Sequence, residues 1–230
     1  MSSHQTVSAV QVRRNISHAK RSQTIDPESN EEKLRIVVLG ATKVGKTCLC
    51  QQFLCQQFIK EHKETLDELH IIEFELTNRH LTLEILDTAG IDEFPVMRRI
   101  AIAGGDAYVI VYSIEDQMSF DIVRQMRDLI IEVKGNSNFP LIIVGNKSDK
   151  EDSRVICREY AESIVTVDWG NTFIEACAYN RNSVLSVFRE LLKTAKIDIT
   201  FSPRTVRRSS DPSLSHDKER PNKRQSCAQQ

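Results

Sequence analysis

Short apolar runs rich in β-branched residues recur along the middle of the chain, at residues 34–39, 71–76, 81–86, 107–114, 141–144 and 172–176. Runs of this length and composition predict buried strands. Between several of them the apolar spacing changes to that of a helix. Val123, Met126, Ile130 and Val133 fall three or four residues apart, with Gly135 as the stop signal, and Val184, Phe188, Leu191 and Ala195 repeat the pattern. The runs 71–76 and 81–86 are joined by Thr77-Asn78-Arg79-His80, a link too short for a crossover helix, so they predict a hairpin. The expected architecture is α/β: a six-stranded, mostly parallel sheet with one antiparallel strand and helices on both faces.

The ends of the chain read differently. Residues 1–33 and 200–230 are polar and lack the apolar content that would offset the entropy of ordering, so both are expected to be disordered extensions of a domain spanning 34–199. The middle is acidic and the final segment basic. Over all 230 residues the formal net charge is −1, with 40% apolar and 27% charged residues, which gives no basis for general nucleic-acid binding. No run reaches the ~18 apolar residues of a spanning helix, and Met1-Ser2-Ser3-His4 starts no secretory pattern. The six cysteines, Cys48, Cys50, Cys55, Cys157, Cys177 and Cys227, have neither disulfide-scaffold nor zinc spacing and read as reduced thiols of a cytoplasmic chain. His62, His70 and His80 have no second ligand at metal-binding spacing and read as surface or core residues.

Chemistry concentrates where strands end. Gly40-Ala41-Thr42-Lys43-Val44-Gly45-Lys46-Thr47 follows the first run directly and fits the pattern G-x-x-x-x-G-K-[ST]. Its glycines let backbone N–H groups and the next helix N-terminus face phosphate oxygens. Lys46 can reach β- and γ-phosphates, and the Thr47 hydroxyl can bind Mg²⁺. The alternative is a glycine-containing strand-to-helix turn without a ligand. Leu86-Asp87-Thr88-Ala89-Gly90 ends another strand, offering a carboxylate for the metal shell and a backbone N–H at Gly90 for a γ-phosphate. Asn146-Lys147-Ser148-Asp149 ends a third, where Asp149 can accept two hydrogen bonds from guanine that adenine cannot give. A plain turn rich in Asn and Asp is the alternative there.

Together these motifs resemble the small GTPases of the Ras branch over about residues 34–197. The resemblance implies a monomeric small G domain that binds GTP and GDP with Mg²⁺ and hydrolyses GTP, acting as a switch under an exchange factor, a GTPase-activating protein and effectors. Nucleotide contacts are implied for 40–47, for Cys48, Phe58 beside the guanine, Thr65, Asp87, Ala89 and Gly90, and for Asn146, Lys147, Asp149, Cys177 and Ala178. Thr47, Thr65 and Asp87 are the implied metal residues, and Lys46, Thr65 and Gly90 the catalytic set. Within the branch, Lys43 and the run Phe94-Pro95-Val96-Met97-Arg98-Arg99 look most like the dexamethasone-induced Ras-like subgroup.

Departures from the family pattern bear on hydrolysis. Ile91 stands where the family usually has the Gln that orients the attacking water, and an aliphatic side chain cannot hydrogen-bond water. Thr42 stands where active members usually have Gly, and its β-branched side chain would crowd an arginine finger, which supplies ~10³–10⁵ in rate. Slow hydrolysis is therefore expected. A partner that supplies the water-orienting group is the alternative, and a constitutively GTP-loaded binding module is the competing function. The first switch, His62-Lys63-Glu64-Thr65-Leu66-Asp67-Glu68, keeps only Thr65 and the acidic character after it, and Tyr179 replaces a common Lys. An ATP-dependent enzyme on the same phosphate loop is disfavoured by Asp149.

The tail ends Cys227-Ala228-Gln229-Gln230, with Cys at the prenylation position but Gln229 where an aliphatic residue is usual. Lys218, Arg220, Lys223 and Arg224 would add ~1 kcal/mol each at an anionic membrane surface. Anchoring at the cytoplasmic face of the plasma membrane and an unmodified thiol are both open readings. Arg207 and Arg208 precede Ser210 at the spacing basophilic kinases favour, and a phosphoserine there resembles a 14-3-3 ligand.

Overall fold

The computed structural model describes residues 8–14, 31–55, 67–76, 79–90 and 95–197. Its centre is one twisted sheet. In chain order the strands are β1 (Ser8–Arg14), β2 (Glu31–Gly40), β3 (Glu68–Leu76), β4 (Arg79–Asp87), β5 (Ala107–Ser113), β6 (Leu141–Asn146) and β7 (Thr172–Glu175). Their spatial order is β1-β3-β4-β2-β5-β6-β7. All pairs from β4 to β7 are parallel, and only β3 runs against the rest.

The expected six strands are β2 to β7. A seventh, β1, comes from the segment that composition assigned to a disordered extension, and pairs antiparallel with β3 from Ser8↔Glu75 to Arg14↔His70 with an irregularity between Ala9 and Val12. Composition misses it because an edge strand takes its pairing from backbone groups alone. Strand β2 begins at Glu31, with Glu31, Glu32 and Lys33 beside His80, Leu81 and Thr82. The hairpin is tighter than expected, with β3 and β4 paired up to Leu76↔Arg79.

Alternation along β2 builds two cores. Ile36 and Val38 face one side with Phe53, Phe188 and Leu191, while Val37 and Leu39 face the other with Tyr108, Ile110, Val123 and Ile130. The first core lies under α1 (Lys46–Cys55) and α5 (Arg181–Thr194), where the Phe53 and Phe188 rings stack with centroids 3.9 Å apart. The second lies under α3 (Gln117–Lys134), with α2 (Pro95–Ala103) against it, and α4 (Arg158–Ser163) adds Ala161 to it, followed by Val165 from the next turn. The α3 helix ends as expected at Gly135, with φ 70°, and at its start Asp116 accepts from the Ser119 amide.

Parallel pairing places strand ends together. Val38 lies beside Asp87, Gly40 beside Val111, and Ser113 beside Asn146. The three motifs therefore meet at the carboxyl edge of the sheet, where open α/β folds hold ligands.

Candidate functional site

The phosphate loop begins at Gly40, whose φ of 140° and whose approach to the Val111 carbonyl leave no room for a Cβ. Gly45, at φ 96°, is constrained in the same way by the Asn146 side chain. Both pattern glycines are thus required by geometry. Lys43 adopts φ 60° with a full side chain, so the loop holds a left-handed turn there without glycine's ease.

Helix α1 starts at Lys46 and directs its N-terminus at the loop. Lys46 is buried, and its Nζ donates to the carbonyls of Gly40 (3.1 Å) and Ala41 (2.7 Å), which hold the ammonium inside the loop. Burial lowers its pKa, opposed chiefly by Asp87. Asp87 is fully buried at the end of β4, where the Thr47 hydroxyl stands beside its carboxylate and, among the described residues, no other donor meets it. Burial pushes its carboxyl up to about 6, and Thr47 and Lys46 offset this only in part. A charged acid with so little hydrogen bonding in the interior is costly. A divalent cation at this point would supply what the protein does not, so the donors present fit Mg²⁺.

Two ties fix the neighbouring segments. The Thr88 hydroxyl donates to the Val38 carbonyl at 2.7 Å, and the Ala89 amide donates to the Asp67 carboxylate at 2.8 Å. Gly90 packs so closely on Thr42 that a Cβ there would overlap the threonine Cγ2 methyl. Thr42 therefore fills the space between the phosphate loop and Gly90.

On the other side, the Asn146 amide donates to the Val44 carbonyl at 2.8 Å, locking the third motif to the phosphate loop. Asp149 is exposed at the rim. The Cys177 thiol donates to it, an interaction that, after burial, raises the thiol's pKa. The Ser148 amide donates to the Ala176 carbonyl at 3.1 Å, and the Cys177 amide donates to Ser183 at 3.1 Å, so the loop carrying Cys177 and the buried Ala178 is held against the third motif. Tyr179 is exposed, and its carbonyl accepts from Gln52 at 3.1 Å.

Compared with models of known protein families, the chain matches the Ras family over residues 35–197. The chain belongs to the Ras family. As a Ras-family protein it is a small GTP-binding protein of the phosphate-loop class, and the α/β fold is the one the resemblance implied.

Among the sequence-predicted site residues, this Ras-family structure gathers Gly40 to Cys48, Asp87, Ala89, Gly90, Asn146, Lys147, Asp149, Cys177 and Ala178 at the carboxyl edge of the sheet and the adjoining α1 and α5 ends. Phe58, Thr65, Ile91, Ser210 and Cys227 lie outside the described residues. Two side chains escaped the motif reading. Asp67 sits in the quoted switch sequence, yet only the fold shows that it joins Ala89. Glu115 lies in no motif; its one sequence signal is a position just beyond a strand end.

Proposed function

We propose that this Ras-family protein is a GTP/GDP switch in intracellular signalling whose binding machinery is intact and whose intrinsic hydrolysis is slow. The observation that carries the reading is the pairing of a buried, poorly hydrogen-bonded Asp87 with Thr42 packed over Gly90. The first marks a place for a cation bound with phosphate. The second leaves little room beside the γ-phosphate for a water-orienting group or an arginine finger.

In this reading Thr47 and Asp87 hold Mg²⁺, together with Thr65 from the first switch. The metal neutralises charge on the β- and γ-phosphates when bound. Lys46 supports the same oxygens, and Gly90 offers its N–H to the γ-phosphate. Asp149 selects guanine, positioned by the Cys177 thiol, while Asn146 keeps the base loop in register with the phosphate loop. Ile91 leaves the attacking water without a side-chain partner. A module that stays GTP-loaded is favoured by the same Thr42 contact and differs only in how slow the last step is. Lys43 and the Phe94 to Arg99 run support a place in the dexamethasone-induced Ras-like subgroup. Cys227 with the basic residues before it supports attachment to the cytoplasmic face of a membrane, by one lipid chain plus a polybasic patch.

Nucleotide extracted from the purified full chain and resolved by ion-pair chromatography tests the reading. Guanine nucleotide with a substantial GTP share is expected, because a slow enzyme keeps what the cell supplies. Recovery of GDP alone from protein prepared in the cold would count against slow hydrolysis, and recovery of no guanine nucleotide would count against the whole assignment.

A further inference from the structure

Glu115 lies two residues beyond the end of β5, beside the base-reading turn. Its carboxylate is half-buried and gathers groups from both ends of that turn. One oxygen is 3.1 Å from the Lys147 ammonium. The other is 2.8 Å from the Lys150 ammonium and accepts from the Ser153 hydroxyl at 3.1 Å. The Ser113 hydroxyl donates to the first oxygen, the one beside Lys147, at 3.5 Å. Lys150, with Lys147 and Ser153, holds the Glu115 carboxyl down to about 2, so it is ionised throughout the working range.

The turn needs such a hold. Lys147 has φ 66°, the left-handed region that disfavours a residue with a Cβ. Its neighbours carry the chemistry: Asn146 is tied to the phosphate loop, and Asp149 stands at the rim two residues on. The Lys150 amide closes the turn on the Lys147 carbonyl at 2.9 Å. Movement of Lys147 therefore shifts both the phosphate-loop tie and the base-reading carboxylate.

We infer that Glu115 is a positioning residue for guanine recognition, acting through Lys147, which its carboxylate clamps in the left-handed turn between Asn146 and Asp149. This rests on the guanine-nucleotide reading given above and adds to it a residue that none of the three motifs contains. Glu115 touches no nucleotide in this scheme; it sets the dwell time by keeping the turn formed. Because the clamp is a charge-assisted contact on an otherwise unfavourable backbone, its loss acts mainly on the rate of release.

The test is release of N-methylanthraniloyl-GDP from the full chain in excess Mg²⁺ and GDP. Glu115→Gln is expected to release the probe roughly 3- to 30-fold faster than wild type. In a Lys147→Met background the same change should add less than about two-fold, because the group it acts through is gone. Lys150→Met keeps the Glu115–Lys147 pair and should stay within about two-fold of wild type. Thermal midpoints at saturating GDP, measured alongside, identify any variant that releases nucleotide by unfolding. Equal acceleration by Glu115→Gln in both backgrounds, or acceleration by Lys150→Met as large as by Glu115→Gln, would overturn the inference in favour of general stabilisation. Unchanged release in Glu115→Gln overturns it outright. A wild-type chain that fails to bind the probe removes the guanine reading itself, which separates the two failures.

Discussion

Replacing Asp149 by Ala is expected to collapse the preference of this protein for guanine over adenine nucleotides, by about 10²–10⁴-fold in the ratio of affinities. The reasoning begins at the strand end. Asp149 is carried by a turn that Asn146 bonds to the Val44 carbonyl, and the Cys177 thiol donates to its carboxylate. So placed, the carboxylate can accept from both guanine donors, and an adenine would present it with none. Alanine removes the source of that difference while leaving the phosphate loop as it was. Competition of GDP and ADP against a fluorescent GDP measures the ratio. If it is the same in wild type and variant, base selection lies elsewhere, and an adenine-nucleotide enzyme on the same loop becomes the better account.

A second large effect is expected at Asp87. Its carboxyl is raised from an ordinary 3.8 to about 6, because burial disfavours the ionised form. For an acid raised in the folded state, stability of the ligand-free protein falls as pH climbs from about 4 through 6, and the full penalty applies above 6. The shift corresponds to ~3 kcal/mol, to order of magnitude. Asp87→Asn carries no such penalty, so the ligand-free variant should unfold at a higher temperature than wild type at neutral pH. The same change removes an anionic metal ligand. Release of GDP from wild type should accelerate strongly when Mg²⁺ is chelated, whereas the variant should lose at least ~10²-fold of that Mg²⁺ dependence. Opposite signs in the two assays are the signature of a metal site. Equal sensitivity to chelation in both proteins would show that Asp87 holds no metal.

Much of this fold is written in local pattern. The β-branched runs became strands because a parallel sheet covered on both faces needs near-continuous apolar segments. The helix 117–134 and the helix 181–194 followed from clear amphipathic spacing, and Val123, Met126, Ile130, Val184, Phe188 and Leu191 are all buried. Two other helices gave no such sign. In α2, Val96, Met97 and Ile100 are exposed, so its apolar residues do not trace one buried face. The short α4 runs into a π-helical turn at Ile164–Asp168 that breaks the period. Strand β1 was missed because its partner is the open backbone edge of β3, which no side-chain pattern announces.

The candidate site divides in the same way. Contiguous motifs are legible, since each lies on one turn of neighbouring residues. Contacts joining distant segments are not. The tie from Asp67 to Ala89, the packing of Thr42 on Gly90 and the clamp from Glu115 to Lys147 each join residues brought together by strand pairing. Thr42 shows the difference well: the sequence marks it as a departure, and the fold shows the methyl it adds resting on Gly90.

In the proposed switch, nucleotide binding is complete while hydrolysis is held back by Thr42 and Ile91. Single-turnover hydrolysis of preloaded GTP, comparing wild type with Thr42→Gly, Ile91→Gln and the double variant, tests it most directly. The account predicts a wild-type rate constant below the roughly 3 × 10⁻⁴ s⁻¹ intrinsic to Ras itself, with the double variant fastest. A wild-type rate at or above that value, unchanged by either substitution, would contradict it.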